Sequence, residues 1–168
     1  MADLTRGRVI AKVRAGESLE GADLSGLDIT GANLSSGDLR GANLKGANLT
    51  GAYLTGTHLE GASLERADLK SARLRSANLS EANLSGAKLI RTDMSGANLS
   101  GANLSDADLS DANLWKANLT GANLLHANLT RALMAMANLR GANLIQADLT
   151  ETQLIRAELT DTILPEGF

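Results

Sequence analysis

His58 and His126 are the chain's only imidazoles, and so its only side chains with an ordinary pKa near neutrality. They stand 68 residues apart, and neither has a second histidine or a cysteine at metal-ligand spacing. Cysteine is absent, which removes thiolate nucleophiles, thiolate metal sites and disulfides. Serines are numerous, but they fall at one recurring slot, so none stands out beside a base as a nucleophile. The stretch from Gly41 to Gly46 imitates the opening of a phosphate loop, yet Ala47 and Asn48 follow where Lys and Ser or Thr are required. Asp106, Asp108 and Asp111 gather three carboxylates with no sign of a cleft around them, which is the pattern of a solvated acidic patch. The expectation is a protein without a catalytic site, bound metal or cofactor.

The surrounding chain explains why chemistry is so thinly spread. Of 168 residues only 2% are aromatic, so no bulky aromatic core can form, and Gly, Ala, Leu, Asn and Ser dominate. The formal net charge is -3, from 16 basic and 19 acidic residues, too balanced for a nucleic-acid binder and mild for a nucleic-acid mimic. The longest apolar runs are a few residues, far short of a membrane span. Asp3, Arg6, Arg8, Lys12 and Arg14 interrupt residues 1–16, so a secretory leader is not expected there, and the cytoplasm is the expected location.

From Leu19 to Leu164 every fifth residue is Leu, apart from Ile29, Met94 and Met134, giving thirty positions without an insertion. Two residues earlier the slot is Ala in 23 of 29 cases, the exceptions being Leu27, Gly37, Thr57, Thr92, Thr152 and Thr162. Asn or Asp most often lies between them, and Ser, Thr or a charge follows, then frequently Gly. A period of five suits no straight element. On a helix each step rotates the Leu by about 140°, and on a strand an odd step throws alternate Leu side chains to opposite faces. Both conflicts vanish if the chain turns a corner every five residues. Ala and Leu then point inward, and the Gly, Asn, Asp and Ser positions supply corners.

This A-(N/D)-L-x-x run, seen as Ala-Asn-Leu at 42–44, 97–99 and 142–144, resembles the pentapeptide-repeat family over residues 17–165. The resemblance implies an all-β fold, a right-handed quadrilateral β-helix with four pentapeptides per coil, so that residue i lies under residue i+20. At about 4.8 Å per coil the repeats span a rod of about 36 Å. Residues 1–16 are expected to form a short N-terminal capping helix, started by Asp3 or Thr5 and stopped at Gly16, leaving 166–168 as a C-terminal tail. Leu27 overfills an Ala slot, and Gly37, ten residues on, is expected to leave space used by Leu27 or by the lid.

In this register the two histidines fall on opposite faces. Asn78, Asn98, Asn118 and Asn138 are expected to stack on one side and Asn83, Asn103, Asn123 and Asn143 on the opposite side, as amide ladders. A column of Thr30, Thr50, Thr130 and Thr150 is broken by Lys70, Ile90 and Ser110, too interrupted for an ice- or carbohydrate-binding array. Arg66, Lys70, Arg73, Arg75, Lys88 and Arg91 ring the middle of the rod among acidic residues, a pattern of surface ion pairing. As outward positions, those side chains are expected to vary freely, Asn83→Ser costing under about 1 kcal/mol.

Outward positions are expected to be polar from residue 20 to about 89 and apolar in places beyond. Trp115, Ala135 and Ile155 share one column with Leu133 and Met136 beside them, while Leu125, Ile145 and Ile163 lie opposite. These residues form the candidate interaction patch, covered either by the C-terminal tail or by a partner. The functional expectation is a non-catalytic rigid scaffold: a homodimer joined through its C-terminal coils, with a protein partner as yet unidentified and with neither direct nucleic-acid binding nor membrane association. The resemblance implies one alternative, since some family members mimic duplex DNA and inhibit or protect DNA gyrase; those carry a more acidic surface and projecting loops, which this chain lacks.

Overall fold

The computed structural model describes residues 4–168. Beyond a single helix, α1 (Arg6–Arg14), the chain winds as a right-handed quadrilateral β-helix. Each side holds a one-residue parallel bridge, and every bridge joins a residue to the one twenty positions later, as in Asn78 to Asn98 and Asn83 to Asn103. The repeat of five thus sets the length of a side, and four sides close one coil.

The core is the column of inward residues. Every Leu-type position from Leu19 to Leu144 is buried, and so is every Ala-type position from Ala32 to Ala147, including Gly37, whose slot no Cβ fills. Burying each Leu contributes about 1.5–3 kcal/mol, against which stands the entropy of ordering the chain. Thr57 and Thr92 replace Ala without leaving an orphan hydroxyl: their Oγ1 atoms donate to the carbonyls of Leu34 and Leu69 at 2.9 and 3.0 Å. Thr152 and Thr162 do the same toward Leu129 and Leu139.

The corners depart from expectation. Sixteen non-glycine residues among those described, including Arg66, Glu81, His126 and Met136, hold φ between +53° and +60°. Such angles cost a side chain about 1–2 kcal/mol, and they persist because the backbone on both sides is locked into the ladder. At Met136, for example, the corner N–H donates to the Ile155 carbonyl at 2.9 Å. Asn and Asp serve the corners by another route. They sit in the bridges, and their side-chain oxygens accept the N–H two residues on, as Asn83 Oδ1 does from Ser85 at 3.1 Å.

The amide ladders form. Asn98 donates to Asn78 and Asn118 to Asn98, at 3.0 and 3.1 Å, whereas Asn138 stands in register without donating to Asn118. On the next side, not the opposite one, because five residues make one side, Asn103, Asn123 and Asn143 each donate to the amide one coil before. Asn83 is therefore half-buried and accepts two hydrogen bonds, which corrects the expectation of a freely variable position. Asn83→Ser strands the Asn103 amide and should cost about 1–2 kcal/mol in chemical denaturation. An unchanged midpoint would show that the ladder adds nothing.

The two ends differ. At the N-terminus Thr5 caps α1, its side chain accepting from the Arg8 N–H, while Asp3 lies outside the described residues. Val9 is fully buried against the first coil, Ile10 and Val13 are half-buried, and Arg6 donates to the Thr30 carbonyl at 2.9 Å. Gly37 makes this docking possible. A Cβ there would stand 3.2 Å from Val13 Cγ1 and 2.9 Å from the Leu34 carbonyl, so the space in its slot goes to the lid, and Leu27 is accommodated half-buried. At the other end Leu149, Leu154, Leu159 and Leu164 are only half-buried, and the tail lies beside Ala147 to Thr150 with Phe168 exposed. No helix among the described residues is long and apolar enough to cross a membrane.

Candidate interaction surfaces

Outward side chains inherit their side from their position modulo twenty, so each surface is a set of columns. Trp115 and Ile155 follow the Leu slot of one side, Leu133 precedes it, and Met136 occupies the next corner. All four are exposed, Ile155 most at 68%. Leu125, Ile145 and Ile163 stand on the opposite side; Ile145 and Ile163 are exposed, but Leu125 is half-buried. The candidate patch is thus two surfaces separated by the width of the rod. Ile155 and Ile163 both belong to the last coil and flank its open edge.

Tyr53 corrects the expectation of a polar surface up to residue 89. It is 40% exposed, in the same column as Leu133 four coils away, and the Arg73 guanidinium lies 4.7 Å from its ring centroid. The column register would have revealed it, since 53 and 133 differ by four twenties.

The last coil presents backbone as well as core. Among the described residues, the N–H groups of Leu149, Glu151, Leu154, Arg156, Leu159 and Asp161 have no protein acceptor, and the carbonyls of Ala147, Thr152, Ala157 and Thr162 have no donor. Their counterparts one coil earlier are all paired, as Met134 N–H to the Gln153 carbonyl and Gln153 N–H to the Ala132 carbonyl. Two donors separate successive acceptors along this edge, so a second strand can pair with it.

Chemistry-bearing groups remain dispersed. His58 lies 3.5 Å from Glu60, more than three coils from His126 at its corner, and no cluster of three metal-ligating side chains occurs among the described residues. The Thr column is occupied internally, with the Thr30, Thr50 and Thr130 hydroxyls bonding Asp28, Asn48 and Asn128. The basic residues of the middle are spread over several sides. Lys70 pairs with Asp68 at 3.6 Å and Arg66 with Glu65 at 3.9 Å, but Arg73 is held on a ring instead.

Several surface aspartates are held below their ordinary value by hydrogen bonds made only in the fold. Asp38 is lowered mainly by the Arg40 guanidinium and then by the Ser18 hydroxyl, Asp111 by Arg131, and Asp28 by Thr30. A depressed folded pKa adds stability that is full above the unfolded value, 3.8 for aspartate, and is lost as pH falls through the folded one. The melting temperature should hold from pH 7 to about 5 and fall below about 3.8. A drop between pH 7 and 5 would contradict this assignment.

The family model of pentapeptide repeats matches in 8 copies, from residue 18 to residue 165. Among solved structures, the chain is similar to Rfr23, a pentapeptide repeat protein of the cyanobacterium Cyanothece 51142: 46% identity, 55% of this chain and 63% of that one, TM-score 0.54. It therefore spans less than two thirds of that protein's length. It is 31% identical to HetL of Nostoc sp. strain PCC 7120, a pentapeptide repeat protein involved in heterocyst differentiation regulation, over 99% of both chains with a TM-score of 0.45. QnrB1, a plasmid-mediated fluoroquinolone resistance protein, shares the fold at 20% identity over 88% of this chain and 69% of that one, TM-score 0.70. No curated protein sequence matches. With repeats, register and family model in agreement along nearly its whole length, the chain belongs to the pentapeptide-repeat family.

Proposed function

We propose that this protein is a non-catalytic interaction module of the cytoplasm, a rigid rod that pairs tail to tail with a second copy and offers its sides to another protein. The open last coil carries the reading. Its half-exposed Leu149, Leu154, Leu159 and Leu164 adjoin an edge of unpaired N–H and carbonyl groups, whereas α1 covers the first coil. Two such edges related by a two-fold axis run antiparallel, so the donor at Leu154 can meet an acceptor such as Thr152 on the other copy, and the reverse. Exposed Ile155 and Ile163 at the rim extend the buried area on both sides of the rod.

Sedimentation equilibrium tests it. The protein should be dimeric at about 100 μM, because an interface of standard size is populated well below that concentration. Ile155→Glu/Ile163→Glu should be monomeric there with an unchanged circular dichroism spectrum. A wild-type monomer at about 100 μM refutes the proposal.

One observation supports a second reading, occupation of a topoisomerase's DNA site. Glu20, Asp38, Glu60, Glu81, Glu158 and Asp161 gather on one side against Arg40 and Arg140. The same rod lacks projecting loops and carries a basic side as well, which weigh against a DNA mimic. A gyrase supercoiling assay separates the two: inhibition or protection at micromolar protein supports the mimic, and no effect removes it.

A further inference from the structure

The side that bears Trp115 differs from the other three in charge and in apolarity together. Its columns and following corner carry Arg73, Arg75, Lys116 and Arg156 against one carboxylate, Asp93. The corner before it is balanced, Arg91 and Arg131 against Asp111 and Glu151, with Arg131 paired to Asp111 at 2.7 Å. The same surface holds five large exposed apolar side chains, Tyr53, Trp115, Leu133, Met136 and Ile155. In a chain of net charge -3, a basic and apolar side is a segregation that the repeat does not require.

Its cations are displayed rather than neutralised. Arg73 rests on Tyr53, and the Lys116 ammonium lies 4.2 Å from the Trp115 ring centroid. Among the described residues neither has a carboxylate within 4 Å, and Arg75 reaches Asp93 only at 3.9 Å. A ring contact fixes a cation's position while leaving its charge free for a ligand. Ser95 and Ala135, one coil before and one coil after Trp115 in its column, are small and leave a shallow groove of about 400 Å³ lined also by Arg75, Asn113 and Leu133.

We infer that this side docks an acidic amphipathic helix of another protein, a reading that deepens the proposed interaction function and rests on it. Charge complementarity selects acidic residues, and the apolar stripe selects Leu-type anchors between them. The side's backbone is already spent on the coils, as Tyr53 N–H to the Ala32 carbonyl and Leu133 N–H to the Ala112 carbonyl, so an added strand finds no free edge. A helix satisfies its own backbone and needs only side-chain contacts. From Tyr53 to Gln153 the stripe spans five coils, about 24 Å, which a helix of about 16 residues covers. Nucleic acid fits less well, because Trp115, Leu133, Met136 and Ile155 offer phosphates nothing and Asp93 repels them.

Trp115 is the only tryptophan and reports directly on the groove. Three probes suffice: a helical peptide of about 16 residues with a Leu stripe flanked by Glu, the same peptide with every Glu replaced by Lys, and a single-stranded oligonucleotide of similar length. The acidic peptide should shift Trp115 emission to the blue and bind at least about tenfold more tightly than the Lys peptide or the oligonucleotide. Arg73→Glu/Arg75→Glu should weaken it about tenfold or more without changing the melting temperature. Equal binding of both peptides, tighter binding of the oligonucleotide, no spectral shift at about 1 mM, or an indifferent double variant would each overturn the inference. Sedimentation of the same samples without peptide reports on tail-to-tail pairing independently, so the two ideas can fail separately.

Discussion

Leu84→Asp is expected to destroy the cooperative unfolding of the rod. Leu84 is fully buried, its N–H donates to the Asn103 carbonyl at 2.7 Å, and the inward neighbours above and below it are Leu64 and Leu104. A carboxylate there has no partner and no water, so it remains charged at a cost of several kcal/mol or takes up a proton and leaves an ill-packed polar group. In a stack each coil touches only its neighbours, and a defect near the middle therefore uncouples the two halves. The expected loss is at least about 4 kcal/mol, against about 2–5 for Leu84→Ala, with thermal unfolding split into two steps or absent. Comparable destabilisation by Asn83→Ser, one position away and outward, would contradict the inward and outward assignment.

Val9→Asp is expected to turn a closed assembly into an open one. Val9 is the fully buried residue of α1, and a carboxylate in its place should lift the helix from the first coil. That would uncover Leu19, Leu24 and Ile29 together with the carbonyls of Asp23, Ser25, Asp28 and Asn33, which accept no backbone hydrogen bond among the described residues. Those acceptors match the donors of the last coil in the same parallel register that joins every internal coil. Head-to-tail addition then becomes possible, and a heterologous contact that does not close grows into filaments. Light scattering per unit mass should keep rising with concentration in Val9→Asp and level off at the dimer in the wild type. A variant whose α1 is readily cleaved by protease, and so released, but which does not elongate would show that the helix has no gating role.

The core was legible because an uninterrupted period of five fits no straight element and requires a corner every fifth residue, which turns the column of Leu from 24 to 144 inward; the four-sided section and its handedness came from the family resemblance. The surface was legible only in part. Asn83 looked replaceable because outward position was equated with exposure, whereas its carboxamide lies between coils and bonds along the stack. Arg66, Glu81 and Met136 were not read as left-handed corners, since local preference argues against them and only the ladder holds them there. Apolar outward residues beyond residue 89 were legible as two opposite columns, but the same register was not extended back toward the N-terminus. Extended, it joins Trp115's side to the distant Tyr53, and only the packing of the coils shows that Leu125 is half-buried.

The central claim, that a second copy completes the last coil, is tested most directly by amide hydrogen exchange at two protein concentrations. The amides of Leu149, Leu154 and Leu159 donate to no protein acceptor within one chain, whereas that of Leu84 is bonded in the interior. At about 1 μM the three edge amides should exchange fast, and at about 100 μM they should become protected while Leu84 is slow at both. Fast exchange of Leu149, Leu154 and Leu159 at both concentrations would contradict the account.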